Sequence, residues 1–281
     1  MSKVIDYNYH LPLVTEGTNL QLPSKKLALD QAISEEYSLM KYDWKFRINN
    51  ALETIKNKSI YNANIHILDS NFINSKEAVS FIKNLESVNK FTALVDFRDK
   101  NIEQKIINWK LAGGCGIKFH PYLQKIDEND YSLIERCVEV ANSVELITNI
   151  DCSYGTLGLY NFSGVNLICS LSKKNKKSKI VALHFGGPKI LDLTMIAFAN
   201  ESLFIDLSLS LSFWKGSSVW NDLAFSIKTL GSSRFLFGSD HPFISHERAY
   251  ADFSEFSEEY NLDNVQICDI LYKNSKALLK L

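Results

Sequence analysis

The chain has 281 residues, 46% of them hydrophobic and 22% charged, which supplies a substantial core and excludes a disordered or fibrous protein. Thirty-one basic against 32 acidic residues leave a formal charge of −1, so no global field draws nucleic acid or an anionic membrane surface. Five dispersed cysteines without a CxxC pair, no export-signal layout at the start and no apolar run near the roughly 18–20 residues of a membrane span lead us to expect a soluble, reduced, cytoplasmic protein.

Taken in chain order, eight β-rich runs stand out: "KVIDYNYH" (3–10), "ANIHIL" (63–68), "FTALVDF" (91–97), "GIKFH" (116–120), "ELITNID" (145–151), "KIVALHF" (179–185), "LFIDLSL" (203–209) and "RFLFGSD" (234–240). Most are nearly continuous apolar runs, as strands buried on both faces require. Helical periods lie between them. "SKEAVSFIKNL" starts on Ser75, a plausible N-cap. "IEQKIINWKLAGG" stops on paired glycines, and "YSLIERCVEVAN" puts Leu133, Ile134, Cys137, Val138 and Ala141 on one face. Eight alternating units in one domain over 1–281 predict an α/β fold, a (β/α)8 TIM barrel. An open doubly wound sheet is the lesser alternative, because no GxGxxG follows the first strand. The lysine-rich "SKKNKKSK" (172–179) reads as a solvated helix end and turn at the barrel's N-terminal rim. The long connection from Leu11 to about Asn57 would leave over the mouth, as a lid or as a decorative loop. The aromatics of "SFWKG" and "VWNDL" fit ordinary packing better than a pocket or a subunit interface.

Chemistry is expected where barrel strands end. Those ends carry Asn8, His10, His66, Asp96, Lys118, His120, Asp151, His184, Asp206 and Asp240. Asn8 and His10, two apart on a strand, point to one face. A lone strand histidine is more often a core residue than a ligand, but the recurrence from strand to strand argues for a site.

These residues resemble the amidohydrolase-related metal-dependent hydrolases, the branch that also contains aromatic-acid decarboxylases and lactonases. "VIDYNYH" looks like the family's first-strand I-D-x-H-x-H and "AGGCGIKFHP" is similar to its G-x-K-x-H-P. "VALHFGG" resembles H-x-G-G, "LGSSRFLFGSDHPF" resembles the eighth-strand G-S-D-x-P, and "ILYKNSKALLKL" resembles the last helix, with Asn274 in place. The resemblance implies a divalent metal, usually zinc, held by two first-strand histidines, a fifth-strand histidine and the eighth-strand aspartate. In this chain those positions are Asn8, His10, Asp151 (with Asn149 the alternative) and Asp240. It also implies substrate contact or proton transfer by His184, and a flanking pair, Lys118 and His120, that would orient an anionic substrate group.

Replacing two imidazoles by an amide and a carboxylate weakens the set for zinc and suits Mn²⁺, Mg²⁺ or Ca²⁺ better. The leading expectation is a hydrolase or related lyase for a small carbonyl substrate. It would use metal-activated water, with Asp240 as general base and His184 at the oxyanion or leaving group. The alternatives are a metal-free barrel binding a small ligand or a protein partner, and an enzyme without metal whose acid–base pair is His184 and Asp240. Neither nucleic acid nor membrane is an expected partner; a homo-oligomer is left open.

Overall fold

The computed structural model describes residues 3–11, 43–58, 60–85, 87–154, 159–174 and 177–281. Eight strands pair in chain order, each parallel to the next: β1 (Ile5–Leu11), β2 (Asn62–Ile67), β3 (Lys90–Leu94), β4 (Gly116–Phe119), β5 (Ile147–Asp151), β6 (Ile180–Leu183), β7 (Leu203–Asp206) and β8 (Phe235–Leu236). After each strand comes a helix: α1 (Trp44–Asn57), α2 (Lys76–Asn84), α3 (Ile102–Leu111), α4 (Tyr131–Ser143), α5 (Gly164–Lys174), α6 (Ile190–Ala199), α7 (Val219–Leu230) and α8 (His246–Glu259). This is a single (β/α)8 TIM barrel. Among the described residues no helix is long and apolar enough to cross a membrane.

Backbone bonds close the ring. Tyr7 N donates to Phe237 O at 2.9 Å, Asp240 N to Asn8 O at 2.8 Å and His10 N to His241 O at 2.7 Å. The eighth strand is shorter than the apolar run suggests because beyond Leu236 the chain follows β1 through these separate bonds, with Ser239 N also donating to Asp6 Oδ1 at 2.9 Å. Asn274 holds its start, donating from Nδ2 to Ser232 O and Phe235 O, both at 2.8 Å. The helix limits follow local chemistry. Ser75 Oγ caps α2 by accepting from Ala78 N at 3.1 Å, and Gly113, at φ 95°, turns the chain out after α3. Residues 12–42 of the long first connection, read as a lid or a decorative loop, lie outside the described residues, as do 175 and 176 of the lysine-rich run. Of the three aromatics near β7, Trp220 is buried and donates from Nε1 to Leu211 O at 2.9 Å, which is ordinary packing, whereas Phe213 is exposed.

Side chains divide by parity. Outward residues such as Ile65, Ala93, Ile117, Ile150, Ala182 and Ile205 pack beneath the helices. Inside, the lower barrel is plugged by Ile5, Tyr7, Ile147, Val181, Leu183 and Leu236, with Leu278 and Leu279 against them. The first strand breaks its own alternation, because its register against β2 shifts between Asp6 and Tyr9. This is a β-bulge, and one extra residue flips every later side chain to the other face. Ile5 and Tyr7 point inward before it; after it Tyr9 and Leu11 join the outer core. Asn8 and His10 are thereby turned into the barrel.

Candidate active site

The inward residues of the upper barrel are polar and buried: Asn8, His10, His66, Lys118, His120, Asp151, His184, Asp206 and Asp240. At the centre lies the Asp151 carboxylate, the last residue of β5. Its Oδ2 accepts from Lys118 Nζ at 2.9 Å and is 3.2 Å from His184 Nε2 and 3.3 Å from His120 Nε2. Its Oδ1 accepts from Ser153 N at 3.0 Å and from the Ser153 hydroxyl. Burial works against this charge, but His120, Lys118 and His184 outweigh it and hold the carboxyl well below the usual range. Asn149, two residues earlier, accepts from Tyr7 Oη at 2.9 Å lower in the barrel, so of the two fifth-strand candidates only Asp151 faces this group.

Lys118 also lies 3.1 Å from His10 Nε2, which in turn is 3.4 Å from Asp240 Oδ1. Burial, reinforced by Lys118 and the neighbouring histidines, keeps His10 neutral. Burial likewise pushes His120 down to about 3, so its contact with Asp151 is that of a neutral ring. For His184 burial is more than offset by Asp240 and Asp151, and its pKa rises to about 9. Asp240, with burial the largest cause and Asp151 adding to it against His184, is raised to about 7.

Both of those residues sit in left-handed backbone, His184 at φ 60° and Asp240 at φ 65°. For a residue with a Cβ this costs about 1–2 kcal/mol, and the surroundings hold it. His184 N donates to Asp206 Oδ2 at 3.3 Å and Ser210 Oγ donates to His184 O at 2.6 Å, while Asp240 N is fixed on Asn8 O. The turn after His184 also needs its glycines: at Gly187, φ 56°, a Cβ would come within 3.0 Å of Cys152 O.

Asn8 meets a second carboxylate. Its Nδ2 donates to Asp206 Oδ2 at 3.2 Å and to Ser208 Oγ at 2.8 Å, leaving its Oδ1 unpartnered. Ser208 Oγ also lies 3.1 Å from His184 Nδ1, so Asn8, Asp206, Ser208 and His184 form one chain of bonds. The approach of β8 to β1 leaves no room here: a Cβ on Gly238 would lie 2.6 Å from Asp206 Oδ1 and 2.9 Å from Asn8 Cβ. The reading of the sequence missed Ser153, Ser208 and Tyr122. The two serines each follow a strand-end aspartate by two residues, and that spacing was their signal. Tyr122, whose ring meets His120 edge-on at 4.4 Å, had none. Asp96 stays apart, accepting from Arg98 N on an exposed turn. His66 stacks on His10 at 5.6 Å without reaching the carboxylates.

A His–Asp–His group that could hold a metal is present: His10, Asp151 and His184 each offer an atom, all within 4.8 Å of one another. Asp240 Oδ1 adds a buried carboxylate oxygen with no hydrogen-bond partner, 3.4 Å from His10 Nε2 and 3.7 Å from His184 Nε2. Ligands about 2.1 Å from a tetrahedral ion lie about 3.4 Å apart, and these separations match. The donors therefore fit a divalent cation, with the Lys118 ammonium standing among them.

Residues 78–281 match the amidohydrolase family of the Amidohydro_2 type, and the chain belongs to that family. No curated protein matches the sequence. Among solved structures, 2,6-dihydroxybenzoate decarboxylase from Rhizobium is similar at 12% identity, with a TM-score of 0.70 over 100% of this chain and 99% of that one. A dihydroxybenzoic acid decarboxylase from Polaromonas, with bound manganese and the inhibitor 2-nitroresorcinol, gives 13% and 0.66 over 100% and 97%. A candidate 2-pyrone-4,6-dicarboxylic acid hydrolase from Pseudomonas putida gives 14% and 0.65 over 100% and 98%. At such identities the likeness is one of fold.

Proposed function

We propose that the chain hydrolyses or decarboxylates a small carboxylated carbonyl compound at the mouth of the barrel. The observation that carries this is the facing pair of Asp240 and His184, 3.7 Å apart beyond the ends of β8 and β6, with both pKa values raised, the carboxyl to about 7 and the imidazole to about 9. A carboxyl near 7 takes up and returns protons at working pH, the condition for a general acid–base group. The Asp240 carboxylate takes the proton of an attacking water or delivers one to a carbanionic carbon. His184, protonated below about 9, faces the negative charge that develops on a carbonyl oxygen. Ser208 on its Nδ1 side fixes the ring. His120, neutral, orients the substrate by hydrogen bonding; Lys118 spends its charge on Asp151. His10, Asp151 and Asp240, with the Asn8 oxygen beside them, would hold a divalent ion, zinc by family or manganese or magnesium by donor type. When bound it supplies carbonyl polarisation and a more acidic water.

The test is a screen of lactones, amides, esters and aromatic carboxylates with wild type and Asp240→Asn. The variant should keep its fold and lose roughly 10²–10⁴-fold in turnover. Equal turnover of both proteins on every active substrate would remove Asp240 from catalysis. A second reading, a barrel that binds a small ligand without turnover, is favoured by one observation: the Asn8 amide is committed to Asp206 and Ser208. It predicts saturable binding of one of these compounds with no product formed.

A further inference from the structure

Lys118 is wholly buried, and its ammonium lies 2.9 Å from Asp151 Oδ2 and 3.1 Å from His10 Nε2, two of the atoms that offer themselves to a metal. A buried carboxylate needs compensating positive charge, and Asp151 Oδ2 already has it from the Lys118 ammonium at 2.9 Å and the His184 ring at 3.2 Å. Two positive centres cannot share Asp151 Oδ2 and His10 Nε2 at such distances without strong repulsion. We infer that Lys118 is a built-in cation of this barrel: its ammonium stands in the place of a metal between β1 and β5, and a divalent ion enters only by displacing it.

The arrangement follows from the strands. Lys118 is the third residue of β4, between β3 and β5, and its four-carbon stem reaches the axis, where Asp151 and His10 converge from two other strands. Asn8 fits the same account. With an amide in place of an imidazole, the first strand keeps one nitrogen donor at the centre, and that donor, His10, is engaged by the lysine. The unpartnered Oδ1 of Asp240, 3.4 Å from His10 Nε2, remains to receive an incoming ion once the ammonium has moved aside.

The inference rests on the cation site proposed above, and binding rather than turnover tests it. Wild type, Lys118→Met and Lys118→Gln are stripped with a chelator, then titrated with Zn²⁺ and Mn²⁺ against a chromophoric competitor. Melting is followed in the stripped and loaded forms. Both variants should bind zinc roughly tenfold or more tightly than wild type, because a competing unit charge has been removed. Stripped variants should melt lower than stripped wild type and recover on loading, whereas wild type should change little. Lys118→Gln retains an N–H donor for Asp151, so it reports on charge if Lys118→Met fails to fold. Equal affinities in all three proteins overturn the inference and leave the cation site standing. Absence of binding in all three overturns both.

Discussion

Replacing Asp151 by Asn removes one charge and almost no volume, so its cost isolates the electrostatics of the barrel centre. In wild type this carboxylate faces the Lys118 ammonium at 2.9 Å and the protonated His184 ring at 3.2 Å, all but wholly buried. With an amide there, two buried cations lose their main counter-charge, and the new NH₂ must face either those donors or the Ser153 N–H. Breaking a buried pair by removing one partner costs about 3–5 kcal/mol. We expect Asp151→Asn to fall in that range by urea unfolding of chelator-treated protein at pH 7. Adding Lys118→Met should restore a part of the loss, because the stranded charge goes with it, so the double variant should be more stable than the sum of the singles. A single-variant loss under about 1 kcal/mol, or strict additivity in the cycle, would show that Asp151 does not neutralise this cluster.

The pH dependence of metal-free protein has a defined sign. His184, raised to about 9 from 6.5, contributes stability that is complete below 6.5 and is lost as pH rises through 9. Asp240, raised to about 7 from 3.8, holds in the native state a proton that the unfolded chain releases, so its contribution falls from about pH 4 to 7. His10 and His120, held below 6.5, act the other way at lower pH, so the test is the upper limb. Melting temperature should fall from pH 7 to 9.5 and His184→Asn should flatten that fall, while Asp240→Asn should steepen the rise in stability from pH 5 to 6.5; no fall in wild type above pH 7 would contradict the His184 assignment. Gly238→Ala, which drives a methyl against Asp206 and Asn8, should cost about 1–3 kcal/mol in chemical denaturation, and a neutral result would mean that β8 can move away from β1. Asn8→His should retain more zinc under limiting supply, since it adds an imidazole beside His10; unchanged zinc content would exclude position 8 from the cation site.

The barrel was legible because its outer core is continuous. Ile65, Ala93, Ile117, Ile150 and Ile205 are the apolar members of runs whose period and spacing already imply parallel strands. The site was legible at the level of strand ends, and Asp151 and Asp240 lie where their runs finish. Partnerships across the barrel were not. A lysine two residues before a histidine in "GIKFH" carries no local sign that its ammonium reaches His10, 108 positions earlier. Nor does Asn8 signal that its amide will be held by Asp206 and Ser208. Such bonds depend on which strands face each other and on the depth of each side chain, quantities that a linear period does not contain. Tyr9 shows the converse failure: strict alternation from Ile5 would aim it inward, and the bulge sends it out.

That bulge separates two selective demands within seven residues of one strand. Ile5 and Tyr7 answer to the plug, where volume and apolarity decide fitness; Asn8 and His10 answer to the mouth, where donor type decides it. In an unbroken strand the inward positions would form one odd-numbered series, and each exchange at the rim would be judged together with the packing beneath it. Here the two series are offset, and Asp240 N and His10 N pin the backbone of the upper one without reference to its side chains. The rim can thus trade imidazole for amide while the floor keeps its shape.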